Sequence, residues 1–260
     1  MCRHVAYLGP PVPLRSVLID PPLGLYRQSW TPRMQLHGTV NADGFGVGWY
    51  ADGDPVPARY RRAVPIWGDQ SLPDLARVTR SAAVLAAVRS ATPGTALGES
   101  AAAPFASGPW LFSHNGVLSS WAENAAAAMN GSLLSDMEAM VDSAFLWALV
   151  LERLRAGDAQ DIALAATIGS VEAAGGSGRF NFLLTDGEVI AATAAGNSLC
   201  YRLGDGGVVV ASEPGDEEPG WTEVPDRSVL TATPAGVGLK PLPAPQTAAP
   251  GPATERTATS

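Results

Sequence analysis

Short runs of alternating apolar and polar residues fill the first part of the chain, each bounded by Gly, Pro or Asp. Arg3–Gly9, Gly46–Tyr50, Arg59–Val64, Ala83–Arg89 and Trp110–Ser113 have the length and composition of strands. The period then changes. Ser119-Ser120 with Glu123 has capping-box spacing and predicts a short helix to about Met129. Ser135–Arg155 carries apolar residues at helical spacing, opens on Ser135-Asp136 and stops before Gly157. Asp158–Ala174 predicts a second helix, ended by Gly175-Gly176. Strand patterning returns in two hairpins, Arg179–Thr185 with Glu188–Thr193 and Leu199–Leu203 with Val208–Ser212. They are joined by Asp186-Gly187 and Asp205-Gly206-Gly207, and Asp-Gly between apolar runs is a strong hairpin signal. Strands, adjacent helices and strands again predict an α+β fold, with helices packed on antiparallel sheets rather than βαβ units.

Composition changes this picture once. From Pro241 onward the chain is almost all Pro, Ala, Thr, Gly and Ser, with too little apolar surface to offset its ordering entropy. With the boundary placed ahead of this run, one domain spans residues 2–236 and a disordered tail spans 237–260.

Charge excludes some partners. Against 25 Asp and Glu stand 17 Lys and Arg, a formal net charge of −8, and no dense basic face argues for nucleic acid. The basic knot Arg59-Tyr60-Arg61-Arg62 is read as a solvated strand face. The longest apolar run, Ala144–Leu151, falls well short of the ~18–20 residues of a membrane span. Met1-Cys2-Arg3-His4 lacks the features of a signal peptide. The two cysteines have neither zinc nor C-x-x-C spacing, so reduced thiols in the cytoplasm are expected. His4, His37 and His114 form no metal-ligand pattern, and neither metal nor cofactor is expected. Gly44-Phe45-Gly46-Val47-Gly48 reads G-x-G-x-G with no helix following, which does not make a dinucleotide site.

Four places carry candidate chemistry. Cys2 becomes the first residue once the initiator Met is removed, as is usual before a small residue. An α-amine titrates near ~8 and a thiol near ~8.5, so nucleophile and base would share one residue. Asp142 sits in the Ser135–Arg155 periodicity with Ala139, Phe145, Leu146 and Leu149 on its face. A carboxylate among apolar residues needs a cation or several donors; a structural pair with an Arg and a subsite for a substrate ammonium both answer that need. His114-Asn115-Gly116, just past an apolar strand, reads as a turn; an Asn amide beside a Gly N–H is also a pair of donors for an oxyanion. Arg89, at a strand end, either decorates its loop or holds a carboxylate in bidentate fashion.

Met1-Cys2, Asn41-Ala42-Asp43-Gly44-Phe45-Gly46-Val47-Gly48-Trp49-Tyr50, Arg89-Ser90-Ala91-Thr92, Phe112-Ser113-His114-Asn115-Gly116 and Asp142-Ser143 occur in an order that resembles the class II glutamine amidotransferases. These are N-terminal-nucleophile hydrolases built as a four-layer αββα sandwich, and the likeness covers about residues 2–235. The resemblance implies Cys2 as nucleophile with its α-amine as base, and Asn115 and Gly116 as the oxyanion hole. It implies Arg89 with Thr92 on a glutamyl α-carboxylate, Asp142 on the α-ammonium, and the Asp43-Gly44 loop walling the pocket. The partner it implies is a small-molecule γ-glutamyl conjugate. Two activities fit: hydrolysis of a γ-glutamyl amide, or a glutaminase subunit supplying ammonia to a separate synthase. The short tail, with no room for a synthase domain, favours the first.

Overall fold

Alternation along single strands sets the layering. In β1 (Arg3–Pro13), Val5 and Tyr7 pack to one side of the sheet and Ala6 and Leu8 to the other. The computed structural model describes residues 2–92, 95–119, 121 and 131–244. Within them, β1 is central in a seven-stranded antiparallel sheet with β2 (Phe45–Trp49), β3 (Ala58–Arg62), β4 (Arg80–Val88), β9 (Cys200–Gly204), β10 (Gly207–Ala211) and β11 (Thr222–Glu223), in the order β11-β9-β10-β1-β4-β2-β3. A six-stranded sheet is formed by β5 (Phe105–Ser107), β6 (Trp110–Leu118), β7 (Gly178–Thr185), β8 (Ile190–Ala194), β12 (Ser228–Thr233) and β13 (Gly236–Pro241), in the order β13-β12-β8-β7-β6-β5.

Three apolar cores separate four layers. The first lies between the seven-stranded sheet and the short helices α1 (Arg15–Leu18), α2 (Leu25–Gln28) and α3 (Leu72–Val78), where Val17, Leu25 and Leu72 meet Val47, Val84 and Val88. The second lies between the sheets, where Ala6, Leu8 and Leu85 meet Leu111, Leu183 and Leu230. The third packs Phe112, Phe180, Phe182 and Leu184 under α5 (Asp142–Arg155) and α6 (Gln160–Ala173). Trp147 stacks on Phe112 there, ring centroids 5.2 Å apart. Each fully buried large apolar side chain contributes about 1.5–3 kcal/mol. The fold is the expected α+β αββα sandwich.

Several elements differ from expectation. The Ser135–Arg155 run is two helices, α4 (Gly131–Asp136) and α5, broken at 137–141. Glu138 accounts for the break. It turns away to accept hydrogen bonds from Arg59 and the Ala106 backbone N–H and to pair with Arg61. The basic strand is therefore not a solvated face: Arg59 and Arg61 both reach Glu138 at 2.7 Å, and Arg62 lies 3.4 Å from Glu99. The Trp110 strand continues to Leu118, which moves His114-Asn115-Gly116 from a turn into the middle of β6, opposite Phe182, Asn181 and Phe180. Residues 237–242, assigned to the tail, are part of the fold: β13 pairs with β12 along its whole length and Leu242 is buried. Of the Ser119–Met129 helix, most lies outside the described residues. After the glycines of β2 the chain turns into β3 rather than a helix. Gly46 and Gly48 give Ala103 and Leu111 room to approach: a Cβ at Gly46 would lie 2.3 Å from the Ala103 carbonyl.

Candidate active site

Cys2 directly precedes β1, and the β1–β4 register sets what faces it. Arg3 pairs with Val88, so Cys2 and Arg89 emerge side by side at the same end of the sheet. The Cys2 thiol is half-buried, its Sγ 4.0 Å from the Ser90 carbonyl. It opens on a narrow cleft lined by Arg89, Ala101, Phe105, His114 and Ser143 among others. A second hollow lies on the helical side of β1, walled by Val5, Tyr7, Leu25, Gln28, Arg202 and Trp221; Cys2 is not among the residues that line it.

Arg89 is only 8% exposed, yet among the described residues it pairs with no carboxylate. Its guanidinium donates to the Ala96 carbonyl (2.8 Å), Thr95 Oγ1 (3.3 Å) and the Asp43 carbonyl (3.5 Å). The Asp43-Gly44 loop buttresses it. Arg89 N–H donates to the Gly44 carbonyl, Asp43 N–H donates to the Arg89 carbonyl, and the Asp43 carboxylate accepts the Ala91 N–H at 2.8 Å. Gly44 holds a φ of +123°, a conformation side chains disfavour. Thr92 is exposed, and its carbonyl accepts from the Thr95 N–H and hydroxyl.

Asp142 is the first residue of α5, not a mid-helix residue ringed by apolar groups, and it is half-buried. An acid in the first turn is favoured by the helix dipole. Several donors rather than a cation meet it. Oδ2 accepts the Leu118 N–H (3.0 Å), and Oδ1 accepts the Ser143 N–H (2.7 Å) and hydroxyl (3.3 Å). The Asp-Ser pair inside an apolar run was the readable sign of a helix start. Among the described residues, an anion that meets no cation thus stands near the cleft through Ser143, and a cation that meets no anion lines the same cleft.

Asn115 reaches Cys2 from the second sheet. Its neighbours fix the amide orientation: Nδ2 donates to the Cys2 carbonyl (2.5 Å), while Oδ1 accepts from Arg3 Nη1 (3.3 Å) and Ser212 Oγ (3.2 Å). A primary amide has two N–H donors, so one remains for an oxyanion beside Cys2. Gly116 has no space for a side chain. A Cβ would lie 1.9 Å from the Arg179 carbonyl and 2.4 Å from His114 Nε2, the two atoms that hydrogen-bond each other at 2.9 Å.

The sequence reading missed the layer beneath. His114 is buried against Phe182; its Nε2 lies 2.9 Å from the Arg179 carbonyl and its Nδ1 3.0 Å from Ser143 Oγ. Burial pulls its pKa below the usual imidazole value. His4 is held well below that value, first by burial and then by the charges of His114 and Arg3. Arg3 and Glu213, buried and 3.1 Å apart, form an ion pair next to Asn115. A charged residue within a strand run, Arg3 in β1, was the signal available. Cys200 is buried, its thiol donating to the Ala211 carbonyl and its pKa pushed up by desolvation and then by the charge of Glu213.

A cysteine before a central strand, an amide on the facing sheet, and a cation and an anion that meet no opposite charge among the described residues lie near one cleft of this αββα sandwich. Residues 23–206 match the family described as glutamine amidotransferases class-II, and the chain belongs to that family. Within it, the chain is 43% identical over 93% of its length to the gamma-glutamyl-hercynylcysteine sulfoxide hydrolase of Mycolicibacterium smegmatis, covering 100% of that protein. It is equally identical to the protein of the same name from Mycobacterium tuberculosis, covering 97% of it. Among solved structures it is similar to a glutamine aminotransferase class-II domain protein from Silicibacter pomeroyi, at a TM-score of 0.69 and 26% identity, covering 94% of this chain and 100% of that one.

Proposed function

We propose that this chain is a γ-glutamyl amidohydrolase that cleaves γ-glutamyl-hercynylcysteine sulfoxide to glutamate and hercynylcysteine sulfoxide, a step belonging to ergothioneine biosynthesis. Near-full-length 43% identity with two hydrolases of that name carries the substrate assignment. The geometry supports the reaction. Arg89 binds the glutamyl α-carboxylate and Asp142 the α-ammonium, two groups that would neutralise charges that meet no counter-ion among the described residues. Binding then fixes the γ-carbonyl over Cys2. With Met1 removed, the α-amine takes the thiol proton and the thiolate attacks the carbonyl carbon of the γ-amide. The oxyanion is stabilised by the free Asn115 N–H together with the Gly116 N–H. The protonated amine passes its proton to the leaving nitrogen as the C–N bond breaks. Water, deprotonated by the same amine, cleaves the thioester and releases glutamate. The reading places the enzyme in the cytoplasm, where thiols stay reduced. Among the described residues, no helix is long and apolar enough to cross a membrane.

The test is a paired assay on protein whose intact mass shows Met1 absent. Glutamate release from the γ-glutamyl conjugate is expected to exceed ammonia release from glutamine. Cys2→Ala is expected to abolish turnover while substrate binding and melting temperature persist. Brisk glutaminase activity without conjugate cleavage would assign the chain instead to ammonia supply for a separate synthase.

A further inference from the structure

We infer that Arg3, the residue after the nucleophile, is a positioning residue that locks the Asn115 amide in its oxyanion-binding orientation, with Glu213 in turn locking Arg3. The inference rests on the proposed hydrolysis at Cys2. As a stabilising device the pair is poor: both side chains are buried, 0% and 2% exposed, and the desolvation of two charges rivals their attraction. Its geometry offers something an apolar pair could not. An Asn amide fits its site in two orientations that exchange oxygen and nitrogen, and only one turns N–H groups toward Cys2. Ser212 Oγ, 3.2 Å from the amide, cannot choose between them, because a hydroxyl both donates and accepts. It already accepts the His4 N–H at 3.0 Å. A guanidinium only donates. Arg3 Nη1, 3.3 Å from the amide oxygen, therefore acts with the Cys2 carbonyl, which accepts from Nδ2 at 2.5 Å: each favours the same orientation and repels the other, one from each end of the amide. Its charge also draws electron density toward Oδ1, which makes the opposite N–H groups better donors.

Glu213 determines where that guanidinium sits. Oε1 is 3.1 Å from Arg3 Nε, and Oε2 accepts the backbone N–H groups of Arg33 (2.7 Å) and Met34 (2.8 Å). The carboxylate is held by backbone, the guanidinium by the carboxylate and the amide by the guanidinium.

The experiment compares the full-length wild type with Arg3→Met, Arg3→Lys and Glu213→Gln, each alone and combined with Asn115→Ala, on γ-glutamyl-p-nitroanilide. All proteins are first treated with methionine aminopeptidase and checked by intact mass. An oxyanion donor acts in the transition state, so Asn115→Ala should lower kcat by ~10²–10³. Arg3→Met should lower kcat by ~10–100-fold with KM nearly unchanged, and Arg3→Lys should recover part of the loss. On the Asn115→Ala background, Arg3→Met should cost less than about twofold, since its target is gone. A wild-type kcat in Arg3→Met, or a loss that multiplies in full with that of Asn115→Ala, overturns the inference. Should Arg3→Met fail to fold, Glu213→Gln, which keeps Arg3, takes its place with a smaller kcat loss that must also vanish on the Asn115→Ala background. A wild type that hydrolyses no γ-glutamyl amide overturns the proposed function and this inference together; an active wild type with additive losses overturns this inference alone.

Discussion

Arg89 supports the sharpest quantitative expectation, because its role can be separated from its structural contacts by changing the substrate instead of the protein. The guanidinium spends donors on the Ala96 carbonyl and Thr95 hydroxyl, and meets the Asp43 carbonyl only at 3.5 Å. A guanidinium has five N–H donors in a fixed fork, and a carboxylate, the stronger acceptor, takes a bidentate grip on Nη1 and Nη2 by displacing the long contacts to the Thr95 hydroxyl and Asp43 carbonyl. Two charge-assisted bonds at about 1.5–3 kcal/mol each give about 3–6 kcal/mol. At ~1.4 kcal/mol per tenfold, Arg89→Ala should lower kcat/KM by ~10²–10⁴ on γ-glutamyl-p-nitroanilide. Arg89→Lys keeps the charge and loses one bond, so its expected loss is ~10–150-fold. The variants also lose the contacts to residues 95 and 96, which confounds a simple activity measurement. The same assay on 4-aminobutyryl-p-nitroanilide, which lacks the α-carboxylate, removes that ambiguity. The wild type should hydrolyse this analogue ~10²–10⁴ more slowly, whereas Arg89→Ala should treat the two substrates alike within a few-fold. A variant that is slow on both yet keeps the full wild-type preference would refute carboxylate recognition by Arg89.

Two further outcomes follow from the packing around the site. Gly116→Ala places a methyl 1.9 Å from a backbone carbonyl that cannot rotate away; overpacking of this kind should cost about 3 kcal/mol or more, lowering the melting temperature by roughly 6–12 °C. A shift under about 2 °C in thermal denaturation would contradict it. His4 is fully buried with its pKa well below the ordinary value, and His114 is shifted in the same direction. The unfolded chain therefore takes up protons near pH ~6.5 that the native state does not, and stability falls as pH drops through and below that value. Between pH 7 and 5.5 His4 should remove about 1 kcal/mol, with His114 acting in the same direction, read by urea denaturation. His4→Asn should flatten part of that slope, and an unchanged slope would refute the assignment.

What the sequence disclosed depended on the range of the interactions involved. The hairpins at Asp186-Gly187 and Asp205-Gly206 and the helix ending before Gly157 are local, set by turn chemistry and periodicity within a few residues, and they lie where expected. The errors came where a distant partner overrode a local preference. Asn115-Gly116 has turn composition, but pairing with Asn181 and Phe180 carries the strand through it. The 137–141 segment is helical by pattern until Glu138 is drawn to Arg59 and Arg61, far away in sequence. The four-residue helices α1 and α2 bury only Val17, Leu18, Leu25 and Gln28, too few positions to establish a period. Cys2, Arg89 and Asp142 were legible as chemistry because each breaks its local pattern. Glu213 was not, since Ser212-Glu213-Pro214 reads as a polar loop until the fold sets it against Arg3.

The site treats buried charge in two ways, and the contrast bears on how it binds. Arg3 and Glu213 neutralise each other, so their fields largely cancel at the cleft and what remains is an orienting contact. Arg89 is surrounded by neutral carbonyl and hydroxyl oxygens, and Asp142 by N–H and hydroxyl donors. Dipoles of this kind stabilise a charge without cancelling it, and the low-dielectric surroundings carry its field into the cleft. Only a molecule bearing an anion and a cation at the right separation can satisfy both at once. The α-amino acid end of a γ-glutamyl group is such a molecule. A ligand with one of the two charges leaves the other buried group uncompensated, so discrimination against it arises from the missing partner as much as from the bond it fails to make.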